Sequence, residues 1–351
     1  MMSQVAGMFL LPHKFEKWFV FTLFCISFAA VWNASGNPSG ESVQHGNASF
    51  ARDQNTLTVR QHTDKTIIHW QDFSIDKNEL TQFIQPGSQA AALNRVLSGN
   101  PSEIYGTLTA NGQILLLNPS GVLVGPGGVV NTQSFVASTL DVLNEDFLNG
   151  GELQFIGDSA EGIINCGSIN ALGGDVFLIS LNVDNSGDIN ADDGAAGLAA
   201  GQQVLLKDGT GERLFVEVAP AEETEQKSVG LNNTGRIEAA RAELQAAGGN
   251  MYALAINNEG TIRASQAVEE NGRVLLKADG GAVSHSGNIE APGGEVSVTG
   301  QDVKVEEGAV IDASGENGGL VEIGGGFQGN GELPNSETTV VEEDAEIHAD
   351  G

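Results

Sequence analysis

The chain has 351 residues, a formal net charge of −30 and two cysteines. That length holds one large domain or two ordinary ones. A surface so acidic repels phosphate backbones and anionic lipid, which excludes nucleic-acid binding as a working function.

In chain order, the N-terminus reads as a signal peptide. His13, Lys14, Glu16 and Lys17 form a charged region, 18–31 is apolar, and Ala34-Ser35-Gly36 permits cleavage before Asn37. The apolar stretch is short for a membrane span, and no later segment is longer. The mature chain is therefore expected to be exported to the periplasm and beyond, with no stable membrane span. Cys25 lies in the leader behind bulky Phe24, which argues against a lipoprotein site. Cys166 is then alone, so no intramolecular disulfide is possible, and it reads as a small buried residue. The acidic excess is lopsided: 151–351 holds 35 acidic and 9 basic residues. This suits solubility, and neither an EF-hand loop nor a GGxGxDxUx repeat is present to suggest calcium.

TLTVRQ (56–61) and KTIIHWQDFSI (65–75) alternate as half-buried strands do, with Trp70 as a core residue. The stretch 79–97 is expected to include one short helix after Gly87, capped by Ser88 and carried by 90–97, with Asn100-Pro101-Ser102 ending it. Next comes ILLLNPSGVLVGPGGVVNTQSFVASTL (114–140), two apolar runs around a tight turn. It has no Lys, Arg, His, Asp, Glu or Cys, so it points to structure or recognition rather than to an enzyme site. Asn118-Pro119-Ser120-Gly121 suits a type I turn in which Asn caps, Pro fixes φ and Gly closes. This turn, like Asn100-Pro101, either only holds the fold or also presents a recognition surface.

From about residue 160 a repeat dominates. Its first half is GSINA (167–171), GDINA (187–191), GRIEA (235–239), GTIRA (260–264), GNIEA (287–291), AVIDA (309–313) and AEIHA (345–349). The isoleucines are 20, 48, 25, 27, 22 and 36 residues apart, several of these near one or two units of 20–27. The second half is Gly-Gly and an apolar strand: GGDVFLI (173–179), GGNMYAL (248–254), GGEVSV (293–298) and GGLVEI (318–323). One unit cannot bury its own apolar face, so units must stack. The expected fold is all-β, a right-handed parallel β-helix of the pectin-lyase-like kind with extra-helical hairpins and loops. An antiparallel β-sandwich is the alternative, but it favours 8–12-residue spacing. At about 4.8 Å per coil, roughly a dozen coils are expected. The stretches 207–230 and 324–336 should leave the rod. The chain stops just after a fresh repeat, as the front of a longer design would, and an uncapped end exposes strand edges.

Candidate chemistry is thin. Asp184, Asp188, Asp192 and Asp193 cluster near one turn, but no Lys, Arg or His stands by them, so they read as solvated turn residues rather than a glycosidase pair. The histidines are scattered without metal-ligand spacing. No catalytic, cofactor or metal site is expected.

Several segments resemble the secretion (TPS) domain of two-partner secretion exoproteins, the filamentous haemagglutinin N-terminal family. These are NPSG (37–40), IIHWQDFSI (67–75), ALNRVLSGNPSEIYGTL (92–108), ILLLNPSGVLVGPGG (114–128) and FVAST (135–139). Ser120 stands where the family usually has Asn, and Ser makes similar but weaker turn bonds. The resemblance runs over about 37–142, and the later repeats look like the β-helical continuation. It implies a signal peptide over 1–36, a TPS domain over 37–155 that starts the β-helix, and a repeat region over 156–351 continuing it. It also implies a partner, the POTRA domains of an outer-membrane β-barrel (TpsB-type) transporter. The exported chain would then be a non-catalytic surface adhesin or structural filament of a Gram-negative-type cell, with a possible ligand on a host or neighbouring cell. A β-helical polysaccharide-active enzyme is the alternative function. An autotransporter passenger would need a C-terminal membrane barrel, and the last residues are acidic and polar.

Overall fold

A computed structural model describes residues 36–207, 216–218, 230–247, 254–265, 272–331 and 333–351. The leader expectation over 1–36 falls almost wholly outside them, as does most of GGNMYAL. No helix among the described residues is long and apolar enough to cross a membrane.

The repeat isoleucines set the cross-section. Ile169, Ile189, Ile237, Ile262, Ile289, Ile311 and Ile347 pair in parallel register, each with the next. Val130 and Leu108 continue the column toward the N-terminus. Ile169 to Ile311 are fully buried, and each such side chain contributes about 1.5–3 kcal/mol through burial. The irregular spacings therefore all measure one coil: the 48-residue step is one coil plus an excursion, not two coils.

A typical coil has three short strands, the first two merging into one long strand at Asp188–Ala200 and Arg236–Ala246, and their parallel stacking forms three faces of a right-handed β-helix. The first face holds the isoleucine column. The second stacks Lys65–Trp70, Ala91–Val96, Gln113–Leu117, Ser134–Ser138 and Val176–Ser180, then continues to Leu320–Ile323. The third runs in order from Ser102–Ile104 through Val122–Val124 and Ile163–Asn165 to Thr338–Val341. Among the described residues antiparallel pairing is confined to the N-terminal strands, where Ser42–His45 meets Lys65–Trp70 and Ala48–Asp53 meets Thr56–Gln61, and to one small extra sheet. The sandwich alternative is thereby excluded.

The helix expected over 90–97 is a strand. Ala91–Val96 lies between Lys65–Trp70 and Gln113–Leu117, bonded to both. Ladder bonds on both edges and burial on both faces outweigh the helical preference of an Ala-rich stretch. Buried Asn94 accepts the Trp70 indole N–H (3.0 Å) and donates to the carbonyls of Ala92 and Leu115. Trp70 is fully buried, edge-on to Phe50 and Phe73.

The second face explains the unbroken apolar runs. Ile114 and Leu116 point into the rod, whereas Leu115 and Leu117 point out into a separate apolar cluster. That cluster is covered by a four-stranded antiparallel sheet of Asp141–Val142, Leu153–Ile156, Gln203–Leu206 and Val216–Val218. The helix Asn144–Asn149 adds Phe147, and Phe155 is fully buried beneath. Strands covered on both faces read as continuous rather than alternating. The excursion expected at 207–230 is, where described, the outer strand of this sheet. The one expected at 324–336 separates Leu320–Ile323 from Thr338–Val341 and carries a short 3-10 turn at Phe327–Gly329.

Between the third and first faces most coils turn through a glycine, as at Gly106, Gly128, Gly167, Gly187, Gly235, Gly260 and Gly287, whereas 76–79 and 342–345 have none. A Cβ on Gly187 would stand 2.2 Å from the carbonyl oxygen of Gly167, and one on Gly235 would stand 2.2 Å from that of Gly187. The need is for close approach, since neither residue has a left-handed φ. Gly187→Ala and Gly235→Ala should each cost about 1–3 kcal/mol through overpacking. Gly99→Ala, which meets nothing within 4 Å, should stay within about 0.5 kcal/mol. Urea unfolding midpoints of the three variants measure the difference.

Candidate functional site

The sequence-predicted turns sit on consecutive coils. Ser102 pairs with Val122 across the third face, which lays the turn of Asn118 to Gly121 over 98–101. The two Asn-Pro steps are thus stacked but offset by two residues. Their asparagines differ accordingly: Asn118 is fully buried, while Asn100 and Pro119 are exposed and Pro101 and Ser120 half-buried.

Asn118 is the hub. Its Nδ2 donates to the Asn100 carbonyl (3.0 Å) and to Ser102 Oγ (2.9 Å). Its Oδ1 accepts the Ser120 N–H (2.9 Å) and its carbonyl accepts the Gly121 N–H (3.0 Å), closing the expected turn. Gly121 has φ +105, which L side chains rarely adopt. Ser120 Oγ donates to the Ser98 carbonyl at 3.4 Å, so its hydroxyl makes a weak tie to the coil below. Ser159 Oγ donates to the Pro119 carbonyl (2.6 Å), tying the turn to the coil above. Beside it, burial pushes the Glu103 carboxyl up, with help from Asp72 and Asp76.

Two polar anchors hold the extra sheet to the rod, and sequence reasoning missed both roles. Arg95 donates to Asp141 Oδ1 through Nε (2.9 Å) and Nη2 (2.8 Å), and also reaches the Val142 carbonyl and Asn144. Lys65 Nζ donates to the carbonyls of Phe147 (2.7 Å) and Leu148 (2.9 Å), where a helix C-terminus favours a cation. The only sequence signal was one cation in each of two strands with little other charge.

No catalytic constellation is assembled from the acidic cluster. Asp184 is half-buried on the third face and accepts the Asn232 amide, and its carboxyl is raised by burial. Asp188 starts the strand on the first face, and exposed Asp192 and Asp193 lie at the next corner. Among the described residues no group of three or more His, Cys, Asp or Glu side chains is placed to hold a metal. A shallow groove of about 420 Å³ follows the glycine turns past half-buried Cys166, but its floor is backbone and Arg236 is paired with Glu238.

The family model for the TPS secretion domain matches residues 34–291. The chain belongs to the TPS secretion domain family. Two curated relatives, both heme/hemopexin-binding proteins of Haemophilus influenzae, are each 32% identical, over 266 and 271 residues. The matches cover 72% and 70% of this chain but 28% of each relative, so the chain spans well under half of their length. The crystal structure of the HMW1 secretion domain from Haemophilus influenzae matches with a TM-score of 0.77 and 30% identity, over 90% of this chain and 84% of that one. A filamentous hemagglutinin secretion domain matches with a TM-score of 0.51 and 14% identity, over 85% of this chain and 98% of that one, and supports the fold alone. Membership in the TPS family implies export to the cell surface or beyond through a TpsB outer-membrane transporter.

For this TPS chain, the turn geometry predicts a coupled cost. Asn118→Ala should destabilise by about 1–3 kcal/mol because it removes the partner of buried Ser102 together with the bonds that close the turn. Paired with Ser102→Ala in a double-mutant cycle, it should show a coupling of at least about 0.5 kcal/mol. Additive losses in chemical denaturation would mean that the two side chains do not act together.

Proposed function

We propose that this chain is the secretion module of a two-partner exoprotein, made with a cleaved leader and read in the periplasm by the POTRA domains of its TpsB transporter. The reading rests on one observation, the family match over 34–291. In it the chain passes the outer membrane unfolded and winds into its β-helix outside. The exported protein then serves as an adhesin or structural filament and not as an enzyme, in keeping with the binding and secretion names of its relatives. The boundary between a TPS domain over 37–155 and a continuing repeat region over 156–351 belongs to the same proposal.

The stacked turns divide the labour within this reading. Buried Asn118 shapes the turn, while exposed Asn100 and Pro119 are the atoms a transporter can touch. A second reading comes from the curated relatives' name: the exported protein binds heme or a heme carrier, with this module as its export address.

The test is secretion in a strain carrying or lacking the transporter, with a pull-down on purified POTRA domains. Asn100→Ala combined with Pro119→Ala should leave the purified fold intact and lower both POTRA capture and secretion by at least about tenfold, on the scale of hot-spot losses. Secretion that persists without any such transporter would overturn the reading. Normal export of the double variant would remove the turns from recognition and leave them a structural role. Purified exported protein offered heme, hemopexin or cultured cells separates the two ligand readings.

A further inference from the structure

At the corner between the third and first faces, the coils carry a column of buried amides. Asn165 Nδ2 donates to Asn185 Oδ1 (2.8 Å), Asn185 to Asn233 (2.7 Å), and Asn233 to Asn258 (2.7 Å). All four are fully buried. The column has a direction, because each amide donates to the coil that follows in sequence. Every added coil therefore satisfies the donor left by the one before it, and leaving such a donor unpaired is costly.

The column must end where an apolar residue takes the position. In register, Asn258 is followed by His285, then by Val305 and Val341. A valine side chain accepts nothing, so the last member needs an acceptor on one side and a different outlet for its donor. His285, fully buried, supplies both. Its Nδ1 lies 3.0 Å from Asn258 Nδ2, and its Nε2 lies 3.3 Å from the Val310 carbonyl oxygen. The arrangement requires a neutral ring with its proton on Nε2.

We infer that His285 is a pH-sensitive terminator of the asparagine column: neutral, it closes the column, and protonated, it releases the coils that stack beyond it. A proton on Nδ1 would face the Asn258 amide donor head-on. The other acceptor in reach is the Asn258 backbone carbonyl, at 3.3 Å. That oxygen already takes the N–H groups of Ser286 and Gly287. Among the described residues no carboxylate bonds to the ring to compensate the charge. On the elements packed around the ring, Glu259, Glu290, Asp302, Lys304, Glu306 and Asp312 flank or alternate with inward-pointing residues and so lie toward the outer surface. Several are engaged there: Glu259 takes the Asn257 amide, Glu290 takes Asn288 and pairs with Arg263, Glu306 takes the Ser284 hydroxyl, Lys304 pairs with Glu306 and Glu342, and Asp312 takes the Ser314 N–H.

Burial holds the His285 ring below the ordinary histidine value, while its bonds to Val310 and Asn258 act the other way. The unfolded chain thus binds this proton at higher pH than the folded one. The stabilisation is complete above the unfolded value, about 6.5, and is lost as pH falls through the window below it.

Hydrogen exchange on the full mature chain at pH 7.5 and 5.0, corrected for intrinsic rates, tests the idea. Peptides from 283–312 should exchange at least about tenfold faster at pH 5.0, one pH-linked proton being able to supply that factor. Peptides from 163–198 should hold. His285→Gln keeps an acceptor and a donor without a titrating ring, and should show the same corrected rates at both pH values. Equal rates in the unchanged protein, or an acid response surviving in His285→Gln, would overturn the inference. If His285→Gln does not fold, nitrogen NMR of labelled histidine in the unchanged protein decides. A neutral ring protonated on Nε2 at pH 7.5, charging at the same midpoint as the exchange, supports the proposal. A ring already charged at pH 7.5, or one that titrates without loosening the coils, overturns it.

Discussion

The structure depends on one constraint, that every coil must reproduce the cross-section of its neighbour at the spacing of a single strand, about 4.8 Å. The isoleucine column meets it from inside, since like shapes in parallel register fill the same volume in each layer. The glycine turns meet it at the corner. There the carbonyl oxygen of one coil occupies the place where a side chain of the next would begin, as with Gly167 beneath Gly187. The asparagine column meets it in polar form, each amide saturating the next. Size, backbone approach and hydrogen bonding are thus three statements of one requirement.

The same constraint decides where the chain is free. Inserted residues leave the stack at its corners and come back in register, so 48 residues separate Ile189 from Ile237 while the two still pair as neighbours. Two of these departures are put to use. The strands Leu153–Ile156 and Gln203–Leu206 come from different excursions, yet they pair and roof the outer apolar stripe of the second face. Arg95 and Lys65 fasten that roof to the rod. The N-terminal half of the rod is therefore a double-layered body on this side.

Much of the fold was legible in the sequence because a repeated requirement leaves a repeated trace. The Gly-x-Ile-x-Ala units marked the stacked residues, and the turn at Asn118 showed its Asn-Pro and Gly chemistry. What was hidden depended on partners distant in sequence. Ala91–Val96 looks helical alone and is a strand because two neighbours bond it. In the long strands Asp188–Ala200 and Arg236–Ala246, the second-face segment follows the repeat without a break. ARAELQA (240–246) thus filled the place that the Gly-Gly rule assigned to GGNMYAL. The candidate site was half legible. Asn100 and Asn118 carry the same Asn-Pro step, but only the two-residue offset of their coils separates a buried hub from an exposed surface.

Directionality is the last consequence. The stacking contacts of a coil reach back to the coil before it, so an incomplete rod is a finished structure with one open layer. From Asn165 to Asn258 the inner amide column gives that growth a sense, because there the group left open at the last layer is a donor awaiting the next acceptor. A rod built up from its N-terminal coil meets its stacking contacts in sequence order, and no late segment must thread back through earlier coils. Ordinary globular folds close their cores with contacts between distant segments and cannot do this. The sparse cysteines fit the same logic, since a covalent link between coils adds little where each layer already templates the next.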